Sequence, residues 1–130
     1  MKSLLDKLGY RSGVTALVWR VPDSRAPQLS PVTVGGEPQF LLAFVRDRAA
    51  LGEAADEVLP SYRRGGHLWL AYPKKSGSIL SDLSRDAGWE RITRAGLLPV
   101  TQVAMDEDWS ALRFRFRDEI KKLTRTSAQA

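Results

Sequence analysis

The sequence predicts one three-layer α/β domain with a mostly parallel sheet, helices on both faces and an antiparallel last strand. Three observations carry that prediction. Apolar, strand-like runs alternate with stretches of helical spacing, which is the signature of parallel βα units joined by right-handed crossovers. The run at 39–45, Gln-Phe-Leu-Leu-Ala-Phe-Val, is apolar with almost no alternation, as in a strand covered on both sides. The run at 109–116, Trp-Ser-Ala-Leu-Arg-Phe-Arg-Phe, alternates, as in an antiparallel strand with one solvated face. A chain of 130 residues, 43% hydrophobic and 27% charged, suits a single core.

The first strand covers residues 14–21, with Gly9 and Gly13 just before it. Pro22-Asp23-Ser24 stops it and offers a cap for a short helix limited by Pro27 and Pro31. Residues 32–34 suit a brief edge strand, and Gly35-Gly36-Glu37-Pro38 a turn. After the central strand, Asp47 caps a helix to about Tyr62, with Leu51, Ala55, Val58, Leu59 and Tyr62 on one side. Arg63-Arg64-Gly65-Gly66 ends that helix, basic residues first and glycines after. The next strand is 67–72, followed by the loop Pro73-Lys74-Lys75-Ser76-Gly77-Ser78. The spacing then predicts a helix from about Ser81 to Ala95, with Leu83, Ala87 and Ile92 inward and Gly96 closing it. Residues 98–105 form a strand, Asp106-Glu107-Asp108 a turn, and 109–116 the last strand. The domain is expected to span 1–125, with a disordered tail over 126–130.

Composition excludes several chemistries. There is no cysteine, so no disulfide and no thiolate metal site can form. One histidine, His67, cannot build a histidine-rich metal cluster, and no metal is expected. No run approaches the roughly 20 apolar residues that span a bilayer, and the polar N-terminus lacks a cleavage-site pattern. A cytoplasmic protein without a membrane partner is the expectation. The formal charge of +5 gathers at the end, where Arg113, Arg115, Arg117, Lys121, Lys122 and Arg125 face only Asp118 and Glu119. Such an end reads either as a solvated strand face or as a nucleic-acid contact.

Some residues resemble a known architecture. Arg64-Gly65-Gly66-His67-Leu68-Trp69 is similar to the "pro-gly-gly" turn and strand of class I S-adenosylmethionine methyltransferases, which have a Rossmann-like fold. The ending Phe114-Arg115-Phe116 resembles their reversed last strand pair. More narrowly, Leu8-Gly9, Phe44-Val45-Arg46, the run from Tyr72 to Gly77, the run from Asp82 to Asp86 and the run from Trp109 to Phe114 resemble a family of small bacterial proteins classed as a domain of unknown function. That resemblance covers about residues 4–125 and implies a truncated methyltransferase-like fold, without implying an activity. Active methyltransferases carry a glycine-rich turn after the first strand and an acid at the end of the second. Here the first strand ends Trp19-Arg20-Val21-Pro22-Asp23, and Gly35-Gly36 follow Val34. Proline removes a backbone donor and no glycine eases the turn. The usual cofactor pose is therefore not expected.

In an open sheet of order 2-1-3-4-6-5, ligands bind beyond the carboxyl ends of the strands where the order reverses. That point lies between the strands ending near Arg20 and Arg46, and Arg20, Arg46, Arg48, Lys74, Lys75 and Arg85 are the candidate ligand-binding residues. Converging there, they would suit phosphate or a polyanion. The competing reading pairs the arginines with Asp23, Asp47, Asp82 and Asp86. The lysine loop lacks P-loop glycine spacing. Ser81 and Asp82 read as helix caps, His67 as structural, Trp19 and Trp69 as core, and Phe114 and Phe116 as inward-facing. No catalytic residue and no cofactor is predicted. The expected function is a non-catalytic module that binds a small anionic ligand or a protein partner. The alternatives are a transferase with an altered cofactor pose and a nucleic-acid-binding protein using the basic C-terminal strand and tail. The edge beside 98–105 is free to pair across a dimer, though no residue requires it.

Overall fold

All five residues of the central strand β3 (Phe40–Phe44) are buried, and the sheet is built outward from it. In the computed structural model, which describes residues 4–11, 13–22, 33–34, 37–84 and 87–120, β1 (Thr15–Trp19) pairs in parallel with β3 on one side. The two-residue edge strand β2 (Thr33–Val34) lies beyond β1, also parallel. On the other side β4 (His67–Pro73) is parallel to β3. The chain then reverses, because β6 (Trp109–Phe116) inserts antiparallel between β4 and the edge strand β5 (Leu97–Ala104). The order is β2-β1-β3-β4-β6-β5. Pro99 is tolerated because β5 is an edge, and the register slips between Pro99 and Thr101, leaving Val100 exposed.

The period-2 pleat splits the core into two layers. Leu41, Ala43, Leu68, Leu70, Tyr72, Leu112 and Phe114 face one side. There they meet Ala50, Leu51, Ala54 and Ala55 of helix α2 (Arg48–Glu57), and Ile92 of the short helix α3 (Glu90–Thr93). Phe40, Leu42, Phe44, Trp69, Ala71, Trp109 and Ala111 face the other side, against Leu5 of helix α1 (Leu4–Lys7) with Leu8 and Tyr10 beyond it. The indole of Trp69 donates to the Leu8 carbonyl at 2.8 Å, so this buried tryptophan is satisfied. Gly9, at φ +84°, turns the chain so closely over β4 that a Cβ there would stand 3.0 Å from His67 Nε2.

Helix α2 starts as its sequence suggests. The Asp47 carboxylate accepts from Ala50 N at 2.9 Å, a cap that contributes about 1 kcal/mol. The helix ends at Glu57 and a 3₁₀ turn, Leu59–Ser61, carries the chain to Tyr62.

The helix expected over 81–95 is not seen: among the described residues of that range, only Glu90–Thr93 is helical. Ser84 and Ala87 instead exchange backbone hydrogen bonds of 3.1 and 3.3 Å, and Gly88 takes φ +104°. Ser81 Oγ accepts from Leu83 N, a local bond that competes with a helical turn. Trp89 clamps the turn through its indole N–H to the Ser84 carbonyl at 2.7 Å. Leu83 still reaches the core, but Ala87, expected inward, is exposed. The expected helix from Pro22-Asp23-Ser24, the turn Gly35-Gly36 and the tail at 126–130 fall wholly or partly outside the described residues. No helix among the described residues is long and apolar enough to cross a membrane.

Candidate functional site

The order of the sheet reverses between β1 and β3, and a cleft of about 590 Å³ opens at their carboxyl ends. Its wall combines Phe44, Ile79 and Trp109 with Arg20, Arg46 and Glu53. Phe44 and Trp109 meet edge to face, 5.1 Å between ring centres, which fixes an aromatic floor. Arg20 leaves β1 at φ +54°, a left-handed conformation that a glycine more often supplies. Its guanidinium stacks 4.1 Å over the Trp19 ring and pairs with Glu53 of α2. The Trp19 indole in turn donates to Glu57 at 3.0 Å.

The cleft wall holds carboxylates as well as cations. Asp47 caps α2, Glu53 is paired with Arg20, and Asp108 accepts from the amide and hydroxyl of Ser78 at 2.8 and 2.9 Å. Arg46 is exposed and makes no hydrogen bond or ion pair among the described residues.

The six candidate cations do not line one cleft. Arg20 and Arg46 share this one. Arg48 is turned to Asp82: its backbone N–H donates to the Asp82 carboxylate at 2.8 Å and its Nε–H to the Asp82 carbonyl at 2.9 Å. Asp82 thus caps α2 from a distance rather than a helix of its own, which corrects the local capping expected of it. Lys74 and Lys75 line a separate groove of about 450 Å³ with Tyr72, Gln102 and Ser110, and no residue is common to the two. The reason is the loop after β4. Lys74 N bonds to the Asp108 carbonyl at 2.8 Å, and Gly77 packs so tightly that a Cβ would fall 2.8 Å from the Glu107 carbonyl. The loop therefore stands between cleft and groove. Arg85 lies outside the described residues, as do Asp23 and Asp86.

Sequence reasoning missed a second charged constellation at the opposite end of the sheet. Glu119, with a side chain only 5% exposed, accepts from Gly65 N at 2.8 Å, Phe116 N at 2.8 Å and the Tyr62 hydroxyl at 2.7 Å. Burial alone would push its carboxyl up, yet these three donors and the Arg115 charge hold it below the ordinary carboxylate range. Burial and then Glu119 push the Tyr62 hydroxyl up. Alongside, Arg64 forks onto Asp118 through two bonds of 2.9 Å and stacks 4.4 Å over Phe116. A signal was available, since Gly65-Gly66 marks a turn with free amides, but its partner stands 54 residues away.

His67 is half-buried and its imidazole is pushed down by burial first, then by Arg113, Arg115 and Arg11. Among the described residues, no three metal-ligating side chains gather.

Solved structures share this architecture. The B. subtilis tRNA methyltransferase TrmK matches at a TM-score of 0.53 and 9% identity, over 91% of this chain and 67% of that one. LepI, solved as a complex with S-adenosylmethionine (SAM), matches at 0.52 and 12% identity, over 88% of this chain and 39% of that one. The chain has a methyltransferase-like fold. No family model and no curated protein matches the sequence, so the narrower resemblance to a domain-of-unknown-function family finds no support. The chain spans about two thirds of TrmK and well under half of LepI. At these identities the likeness carries the fold and not the chemistry.

Proposed function

We propose that this chain is a non-catalytic binding module on a methyltransferase-like sheet. Its cleft between the ends of β1 and β3 takes a small ligand with an apolar body and one carboxylate or phosphate group. The observation that supports this most is Arg46, an exposed guanidinium without a partner among the described residues, standing beside the Phe44–Trp109 floor. The wall carboxylates are engaged locally, so recognition depends on that one cation and not on net charge. A thermal-shift screen of carboxylate and phosphate metabolites tests the reading. Arg46→Ala is expected to weaken any stabilising ligand about tenfold or more, as loss of a charge-assisted bond does, while the unliganded melting temperature stays put. Ligands that bind the variant as well as the wild type would refute it.

A transferase with an altered cofactor pose is the second reading. It is favoured by Arg20, whose backbone keeps the left-handed turn after β1 without a glycine. Calorimetric titration with SAM separates the two, because heat at millimolar ligand supports the transferase and silence supports the module.

A further inference from the structure

The amino end of the sheet carries two arginines on its α1 face, Arg113 and Arg115, for which the one ion pair among the described residues is that of Arg115 with Glu119. Arg113 and Arg115 stand two residues apart on β6, and the pleat turns both to the side where Trp109 and Ala111 are buried. The Nε atoms of both are shielded from water and have no hydrogen-bond acceptor among the described residues. Arg113 Nη2 reaches the Gly66 carbonyl at 3.3 Å. Arg115 Nη2 stands 3.6 Å from Glu119, beyond hydrogen-bond reach, and that carboxylate already accepts from Gly65, Phe116 and Tyr62. Asp118 is taken by Arg64. Burial, and after it the charges of Arg113, Arg115 and Arg11, push the His67 imidazole down. Arg11 and His67 also line a cavity of about 350 Å³ with Tyr10, Gln39 and Gly65. Adjacent like charges with unmet donors are costly, and a shared oxyanion removes both costs at once.

We propose that this shelf binds a phosphate group, held by the forks of Arg113 and Arg115 with Arg11 at its rim. A guanidinium offers Nε and Nη as a planar pair that matches two phosphate oxygens. Because both Nε atoms are covered as they stand, each side chain must turn for that edge to meet the anion. The phosphate comes either free or as part of a single-stranded nucleic-acid backbone, and both present the same oxygens. The site is at the other end of the sheet from the Arg46 cleft and stands independently of it.

The test uses the full chain with two probes, inorganic phosphate followed by calorimetry and a fluorescent oligothymidylate followed by anisotropy. Arg113→Gln and Arg115→Gln are each expected to weaken binding about tenfold, and Arg113→Lys to rescue only partly because an ammonium cannot fork. Oligonucleotide binding whose salt slope shrinks in Arg113→Gln identifies a backbone phosphate, whereas response to inorganic phosphate alone identifies a free one. No binding of either probe, or binding unchanged in both glutamine variants, overturns the proposal. Should a glutamine variant misfold, Arg113→Lys and Arg115→Lys carry the test, because full-strength binding in both equally overturns it.

Discussion

The two ends of the sheet use charge in opposite ways. At the amino end, the Glu119 carboxylate is nearly enclosed and accepts three hydrogen bonds, one from a turn 54 residues earlier. At the carboxyl end, Arg46 projects into an open cleft and answers to no acid among the described residues. A satisfied, buried charge locks segments together, and removing it leaves orphaned donors. An exposed, unsatisfied charge contributes little to stability and is available to a ligand. The comparison therefore predicts large stability effects at one end and small ones at the other.

The largest effect is expected for Glu119→Ala. It strands the amides of Gly65 and Phe116 and the Tyr62 hydroxyl, and should cost about 3 kcal/mol, or roughly 10 °C in melting temperature. Thermal unfolding by circular dichroism measures this, and a drop within experimental error would show that the lock contributes nothing. The same group gives a pH signature. Its carboxyl is held below the unfolded value, so its stabilisation is present above about pH 4.3 and is lost as the pH falls through the folded value. The stability gap between wild type and Glu119→Gln should therefore narrow on acidification below about pH 4. A gap that widens there reverses the sign and defeats the assignment.

An intermediate effect separates the observed pairing of Ser84 with Ala87 from the helix that the spacing suggests. In a helix, Gly88→Ala would stabilise by about 1 kcal/mol. In the structure, Gly88 has φ +104°, and a Cβ there would lie 2.6 Å from Leu83 Cδ1 and 3.1 Å from Arg48 Nε. The substitution should instead cost about 2 kcal/mol, from backbone strain plus overpacking of a core leucine. Chemical denaturation decides by the sign alone.

These cases mark what the chain reveals before it folds. The unbroken apolar run of β3 and the Asp47 cap are local patterns, and each appears where its pattern points. The strand at 109–116 forms and is antiparallel, but its alternation misleads: β6 lies between β4 and β5 with Trp109, Ser110, Ala111 and Leu112 all buried, so the expected solvated face is absent. The segment around Asp82 is not set locally: Asp82 docks on Arg48, 34 residues away, and that contact outweighs helical spacing. The candidate cations were equally opaque. Arg20 and Arg46 end neighbouring strands and do meet in one cleft, but the tie of Lys74 to Asp108 sends the lysines to another groove. Glu119 read as one of two acids in a basic tail, because nothing in its vicinity names Gly65 as its partner.

A small stability effect is expected where sequence and backbone disagree most. The turn after β1 lacks glycine, yet Arg20 holds φ +54°. Arg20→Gly relieves strain of about 1 kcal/mol. Against that stand a half-exposed pair with Glu53 and the stack on Trp19, each contributing about 0.5 kcal/mol, and the extra freedom of glycine in the unfolded chain, about 0.7 kcal/mol. The terms nearly cancel, so the melting temperature should move by less than roughly 4 °C. The substitution also clears a side chain from the cleft wall while sparing Arg46 and Pro22. Ligands held by Arg46 should still bind, and calorimetry with SAM should remain silent, since Pro22 still withholds a backbone donor. Heat with SAM in the variant but not in the wild type would mean that one arginine side chain closes an otherwise competent cofactor site, and the transferase reading would then displace the binding module.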